Sequence, residues 1–175
     1  MTSKMYSFLV FTVLFVGCLS KPLYIYNSFS ESVGSGNGES YATSGEGRIT
    51  AIRVWEAPHA YVTGFQLSFN HIWDEVIGYK THFETEMKLF ENEVITQVSG
   101  KYQSTVIYQL IFVTSRGRFL IVGQPNKISF NMYPEFSDGE LVKLSGHRQY
   151  NRITAIAAHW GTAVLKQIDD IKEHI

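Results

Sequence analysis

The chain has 175 residues, 45% of them hydrophobic and 18% charged, with a net charge of −1. That balance supports a buried core and excludes a disordered chain, while the near-neutral charge excludes the strong basic excess of a nucleic-acid binder. Aromatic residues at 14%, together with 14 glycines, favour strands joined by tight turns.

The first element in chain order is a leader. Lys4 is the one charge in residues 1–20, and an apolar run from Phe8 to Val16 ends in Gly17, Cys18, Leu19 and Ser20. This pattern predicts a secretory signal peptide over 1–20, since a membrane span needs about 20 apolar residues. Its removal takes away Lys4 and Cys18, the single cysteine, so the mature chain carries a net charge of −2 and no disulfide. A mature chain of this length is held by its core alone.

The predicted domain covers 21–162, followed by a polar tail over 163–175. In the domain, Phe65, Leu67 and Phe69 alternate with Gln66 and Ser68, the period-two pattern of a strand. Glu84 and Glu86 share one strand face and read as solvated carboxylates. Val94, Thr96 and Val98 continue the alternation. From Val106 to Val113 both faces are apolar, which reads as a strand buried on both sides. Phe119 with Ile121, then Ile128, Phe130 and Met132, complete the set, and only Leu165 to Ile175 looks helix-compatible.

There is a loose internal repeat. Arg48-Ile-Thr-Ala-Ile52 recurs as Arg152-Ile-Thr-Ala-Ile156, each running on to a tryptophan, Trp55 or Trp160. Ser-Gly pairs at 44–45, 99–100 and 145–146 read as turns feeding long strands. Three units of about fifty residues suggest three sheets around a shared core.

No catalytic constellation is found. The mature chain has no cysteine nucleophile, no Gly-x-Ser-x-Gly elbow and no His-x-x-x-His spacing, and His159 reads as a structural histidine. No cofactor is expected. The cluster Gly34-Ser-Gly-Asn-Gly38 lacks the spacing of a dinucleotide fingerprint. It reads either as a flexible turn or as a loop whose backbone N–H groups meet a ligand.

The stretches Val94–Tyr102 and Leu110–Leu120, with the Gly-rich segment 34–38, Gly47–Val54 and Ile153–Trp160 in order, resemble the animal jacalin-related lectins of the zymogen granule protein 16 group, including salivary demilune cell and parotid relatives. The resemblance spans about residues 30–161. It implies an all-β fold, the β-prism I: three four-stranded antiparallel Greek-key sheets with pseudo-threefold symmetry. It further implies a non-enzymatic, secreted protein of exocrine or mucosal secretions, stored in secretory granules.

Carried over by position, the resemblance implies a carbohydrate site of Gly36, Asn37 and Gly38, a recognition loop at Lys101, Tyr102 and Gln103, and a third loop of Gly146, His147, Arg148, Gln149, Tyr150, Asn151, Arg152 and Thr154. The family has an aspartate before Ala-Ile-x-x-x-Trp where this chain has Thr154. A threonine hydroxyl cannot replace a charged acceptor of two hydroxyl hydrogen bonds. Neutral mannose is therefore disfavoured, and an aspartate at 154 would be expected to restore it. Lys101, Arg148 and Arg152 point instead to acidic partners such as sulfated glycans or mucins. The alternative is a secreted protein-binding or signalling scaffold whose sugar site has decayed. The sequence leaves the oligomeric state open.

Overall fold

The computed structural model describes residues 23–164. The signal peptide and the helix-compatible stretch 165–175 lie outside the described residues.

Alternating sequence becomes strand throughout. The strands are β1 (Leu23–Phe29), β2 (Val33–Gly34), β3 (Glu39–Ala42), β4 (Ile49–Glu56), β5 (Val62–Phe69), β6 (Ile72–Trp73) and β7 (Ile77–Gly78). They continue with β8 (Phe83–Lys88), β9 (Ile95–Gln103), β10 (Val106–Thr114), β11 (Phe119–Gly123), β12 (Ile128–Met132), β13 (Glu140–Gln149) and β14 (Arg152–Val164).

All pairings are antiparallel. Sheet A has the order β1-β14-β13-β3, sheet B β6-β5-β4-β8 and sheet C β11-β10-β9-β12. Each therefore has a four-stranded backbone of the predicted kind. Two take in an extra two-residue strand, β2 on β14 and β7 on β5. This is the β-prism I architecture. Its centre is filled from all three sheets, by Ile52, Phe65 and Leu67 of B, Val98, Leu110 and Phe112 of C, and Leu144, Ile156 and Trp160 of A, all fully buried.

The internal repeat is resolved differently from the sequence reading. Arg48–Ile52 enters β4, the first strand of its hairpin, whereas Arg152–Ile156 opens β14, the second strand of another. The five-residue identity therefore does not mark equivalent positions. Nor are the Ser-Gly pairs three turns. Gly100 and Gly146 sit within β9 and β13, paired with Leu110 and Ile156 at matched registers. Gly45 lies in the loop before β4, with Phe69 against it. The repeat that does exist is the long hairpin itself: β4–β5, β9–β10 and β13–β14.

Burial on both sides of β10 is also only partly realised. A register shift between Ile107 and Gln109 turns Ile107 inward beside Leu110. Ile111 and Val113 remain half-buried on the outer face, next to exposed Ile121 and Phe119 on β11.

Several polar groups on the sheet faces find partners. The ring of His159 meets the Ser145 hydroxyl at 2.7 Å and Phe29 edge-on at 5.4 Å, the structural role expected. Burial, then the charge of Lys143, lowers its pKa. Glu84 and Glu86 are not simply solvated: both pair with Arg53, and Glu84 also accepts the Trp55 indole N–H at 2.8 Å.

Candidate functional site

The Gly-rich loop connects β2 to β3 and lies across the β13–β14 hairpin. Two glycines make that approach possible. Gly34 has φ +104° and Gly38 φ +106°, and a Cβ on either would stand 2.2 Å from the Thr154 carbonyl oxygen or 2.3 Å from that of Arg148. Only glycine combines a left-handed backbone with so close an approach. Gly36 has nothing within 4 Å and is the open tip. Gly38→Ala is therefore expected to destabilise the protein by about 1–3 kcal/mol and Gly36→Ala hardly at all, as thermal unfolding of the two variants would reveal.

The loop is tied down by polar contacts. Ser35 N–H donates to the Thr154 carbonyl at 2.8 Å, and the Thr154 hydroxyl donates to the Asn37 carbonyl at the same distance. Asn37 N–H donates to the Ser35 hydroxyl at 3.1 Å. Thr154 is 1% exposed, and its hydroxyl proton is used within the loop. Gly146, inside β13, likewise makes room: a Cβ there would come within 2.9 Å of the Tyr41 hydroxyl, which donates to the Ala155 carbonyl. Burial raises the Tyr41 pKa strongly, keeping it a neutral donor.

The end of the β13–β14 hairpin carries the exposed chemistry. Gln149 and Tyr150 reach the surface, and Tyr150 is 89% exposed. Its ring stacks on Tyr79 at 6.0 Å with a 27° interplanar angle. Beside it opens a hollow of about 310 Å³ lined by Gly38, Glu39, Gly78, Arg148, Gln149 and Tyr150. Arg148 pairs with Glu39 across the β3–β13 ladder at 3.2 Å. Asn151 donates to the Tyr61 hydroxyl at 3.3 Å, and the Arg152 guanidinium lies 5.8 Å from the Tyr61 ring. Of the five side-chain atoms buried without a protein partner among the described residues, three lie on this hairpin: His147 Nδ1 and the Nε atoms of Arg148 and Arg152.

The predicted recognition loop does not join this hollow. Lys101 donates to the Ser129 hydroxyl at 2.8 Å, Tyr102 packs edge-on against Phe130 at 6.0 Å, and Gln103 is exposed at the end of β9. Lys101 and Tyr102 are engaged with β12, and none of the three lines the hollow beside Tyr150.

Sequence reading missed Gly34, Glu39, Tyr61 and Tyr79. Gly34 was legible as part of the glycine cluster. The other three are brought in by tertiary pairing: β3 on β13, the β4–β5 turn beside the β13–β14 turn, and the segment after β7. No local signal announces them.

Residues 30–159 match the model of the jacalin-like lectin domain. The chain is 37% identical over 139 residues to rat zymogen granule membrane protein 16, covering 78% of this chain and 81% of that one. It is 35% identical over 137 residues to the human protein of the same name, covering 77% and 80%. Among solved structures, a prostate-specific WGA16 glycoprotein lectin superposes with a TM-score of 0.67 at 26% identity, covering 77% of this chain and 99% of that one. Artocarpin complexed with methyl-α-mannose shares the fold, with a TM-score of 0.63 at 20% identity over 81% of this chain and 99% of that one. A glycine-tied loop over the last hairpin of a three-sheet prism, and a family match across most of its length, place this chain in the jacalin-like lectin domain family, with the zymogen granule protein 16 group.

Proposed function

We propose that this lectin domain binds carbohydrate at the hollow beside Tyr150, with a preference for acidic or mucin-type glycans, and acts as a secreted or secretory-granule protein rather than an enzyme. The observation that carries the reading is Tyr150, an aromatic ring almost fully exposed over a glycine-walled hollow and braced by Tyr79. A ring so placed offers an apolar face to a sugar, while a few polar groups set its orientation. The zymogen granule proteins among its relatives support the location, and no helix among the described residues is long and apolar enough to cross a membrane.

The preference for acid rests on Arg148 at the hollow and Arg152 nearby, set against one carboxylate, Glu39. Glu39 is 73% exposed and competes with any anionic ligand for the Arg148 fork. An exposed pair of this kind contributes at most about 1 kcal/mol. Hence Glu39→Gln is expected to strengthen binding to sulfated or sialylated glycans by up to about fivefold. Arg148→Ala is expected to weaken it by about tenfold, because a charged hydrogen bond is lost. A glycan array with these variants, read at low and high salt, tests both, since screening should lower acidic signals only. A blank array for the unmodified protein would remove the lectin reading and leave the scaffold one, which the use of the Thr154 hydroxyl proton within the loop would then favour.

A further inference from the structure

A second hollow lies on the outer face of sheet B, near the start of β4 and so at the far end of that strand from Tyr61 and the Tyr150 site. Its construction follows from the strand registers. Ala51 faces Ser68 across β4 and β5, Lys88 lies opposite Ala51 on β8, and Trp73 lies opposite Ser68 on β6. Two small side chains thus floor a trough of about 280 Å³ between a tall aromatic wall and a tall cationic one.

The lip is shaped by two backbone departures. The β4–β5 register shifts around Thr50, an irregularity of the kind that re-aims side chains beside sites. The Thr50 hydroxyl accepts the His71 N–H at 2.9 Å and lies 3.1 Å from the Ser68 hydroxyl. The two-residue turn between β5 and β6 is Asn70-His71, with φ of 47° and 68°. Such a turn is unstrained with glycine in second place. Here a histidine occupies that place and borders the trough with its exposed imidazole.

The charges are not equivalent. Arg53 lies 4.2 Å from the Trp73 ring and is neutralised by Glu84 and Glu86, so it braces the wall. Lys88 is 81% exposed, and its contact with Glu86 is loose at 3.9 Å. Lys88 is thus the cation available to a guest.

We propose that this trough is a second saccharide site, one that takes a single sugar ring bearing a carboxylate or sulfate, with the ring against Trp73 over Ala51 and Ser68 and the anion on Lys88 and His71. It neither includes nor depends on the Tyr150 hollow. Two separate sites on one domain would let a single chain bridge two glycan branches, raising avidity without new contacts.

The protein supplies its own probe. Trp55 and Trp160 are 1% exposed, so of the three tryptophans only Trp73 is open to acrylamide quenching. The full chain is titrated with glucuronic acid and, separately, N-acetylglucosamine 6-sulfate, with glucose and inorganic sulfate at matched ionic strength as controls. Saturable protection of Trp73 by one or both acidic sugars, and by neither control, is expected; the two arms distinguish carboxylate from sulfate. Lys88→Ala should raise the half-saturation point at least about tenfold, with recovery in Lys88→Arg. Tyr150→Ala should leave it unchanged. His71→Gly should weaken protection while raising Tm, because the turn loses its strain. No protection by either acidic sugar, equal protection by inorganic sulfate, or indifference to Lys88→Ala would overturn the proposal. Loss of protection in Tyr150→Ala would also overturn it, by assigning the signal to the other hollow.

Discussion

Thr154→Asp is expected to lower stability by about 3 kcal/mol and to yield no mannose binding. Thr154 is 1% exposed, and its hydroxyl donates to the Asn37 carbonyl at 2.8 Å while its own carbonyl accepts from Ser35. A carboxylate at that point sets an acceptor against an acceptor and buries a charge without a partner. For a domain of this size the loss corresponds to a fall in Tm of roughly 10 °C. The Gly-rich loop would lift from β14, and mannan binding would stay at background. Asparagine is the informative control, because its amide can donate to the Asn37 carbonyl and spare the loop. A Thr154→Asp protein that keeps its Tm and gains mannose binding would contradict this account. The expectation reverses the one drawn from sequence alone, where Thr154 stands in the site in place of a charged acceptor. The structure fills that position with a donor already in use.

The second large effect concerns acid. Glu93, in the β8–β9 connection, is buried and collects four hydrogen bonds. Arg118 donates through Nε at 2.9 Å and Nη2 at 2.6 Å, the Thr114 hydroxyl at 2.6 Å, and Phe90 N–H at 2.7 Å. Arg118 also donates to the Lys88 carbonyl and stacks on Phe90 at 4.2 Å. The cluster therefore clamps β8 of sheet B to the β10–β11 turn of sheet C. The Arg118 hydrogen bond first, then those from Phe90 and Thr114, outweigh burial and bring the Glu93 pKa down from 4.5 to about 2.

A carboxyl with a lowered folded-state pKa adds stability that is complete above its unfolded value and disappears as pH falls through the folded one. Tm should thus decline between pH 4.5 and about 2. Glu93→Gln should cost about 2–3 kcal/mol at neutral pH, since charged hydrogen bonds are lost, and should flatten the decline in that window. Thermal unfolding of both proteins across pH 2–7 checks the two statements together. An unchanged slope in the variant would mean that other carboxylates carry the acid response.

What the sequence disclosed followed physical range. Alternation such as Phe65-Gln-Leu-Ser-Phe69 is a local consequence of the pleat, and the strands it predicted are present. The Ser-Gly pairs misled because their composition says turn, whereas Gly100 and Gly146 are set by what crosses them, the carbonyls of Gln109 and Ala155. Register is invisible locally, so the shift that turns Ile107 inward could not be read. At the site, the glycine cluster was recognisable but not which glycines matter. Gly34 and Gly38 are fixed by the approach of the Thr154 and Arg148 carbonyls, and Gly36 by nothing. Tyr79 and Tyr150 lie 71 residues apart and meet only through the fold.

The pairing of β1 with β14 constrains how the molecule can be made. Ser28 meets Trp160 across that ladder, and the Trp160 indole donates to the Ser30 hydroxyl, 130 residues away in sequence. During synthesis β1 emerges before every strand of sheets B and C, and its partner β14 after them. At ribosomal speeds that interval is on the order of ten seconds. Sheets B and C draw their strands from contiguous stretches and can assemble in that time. Sheet A cannot, so its first strand must wait with an unpaired edge, a state open to wrong partners. Sheet A therefore closes only once β14 has been made, and until then anything that shields β1 guards the fold against mispairing.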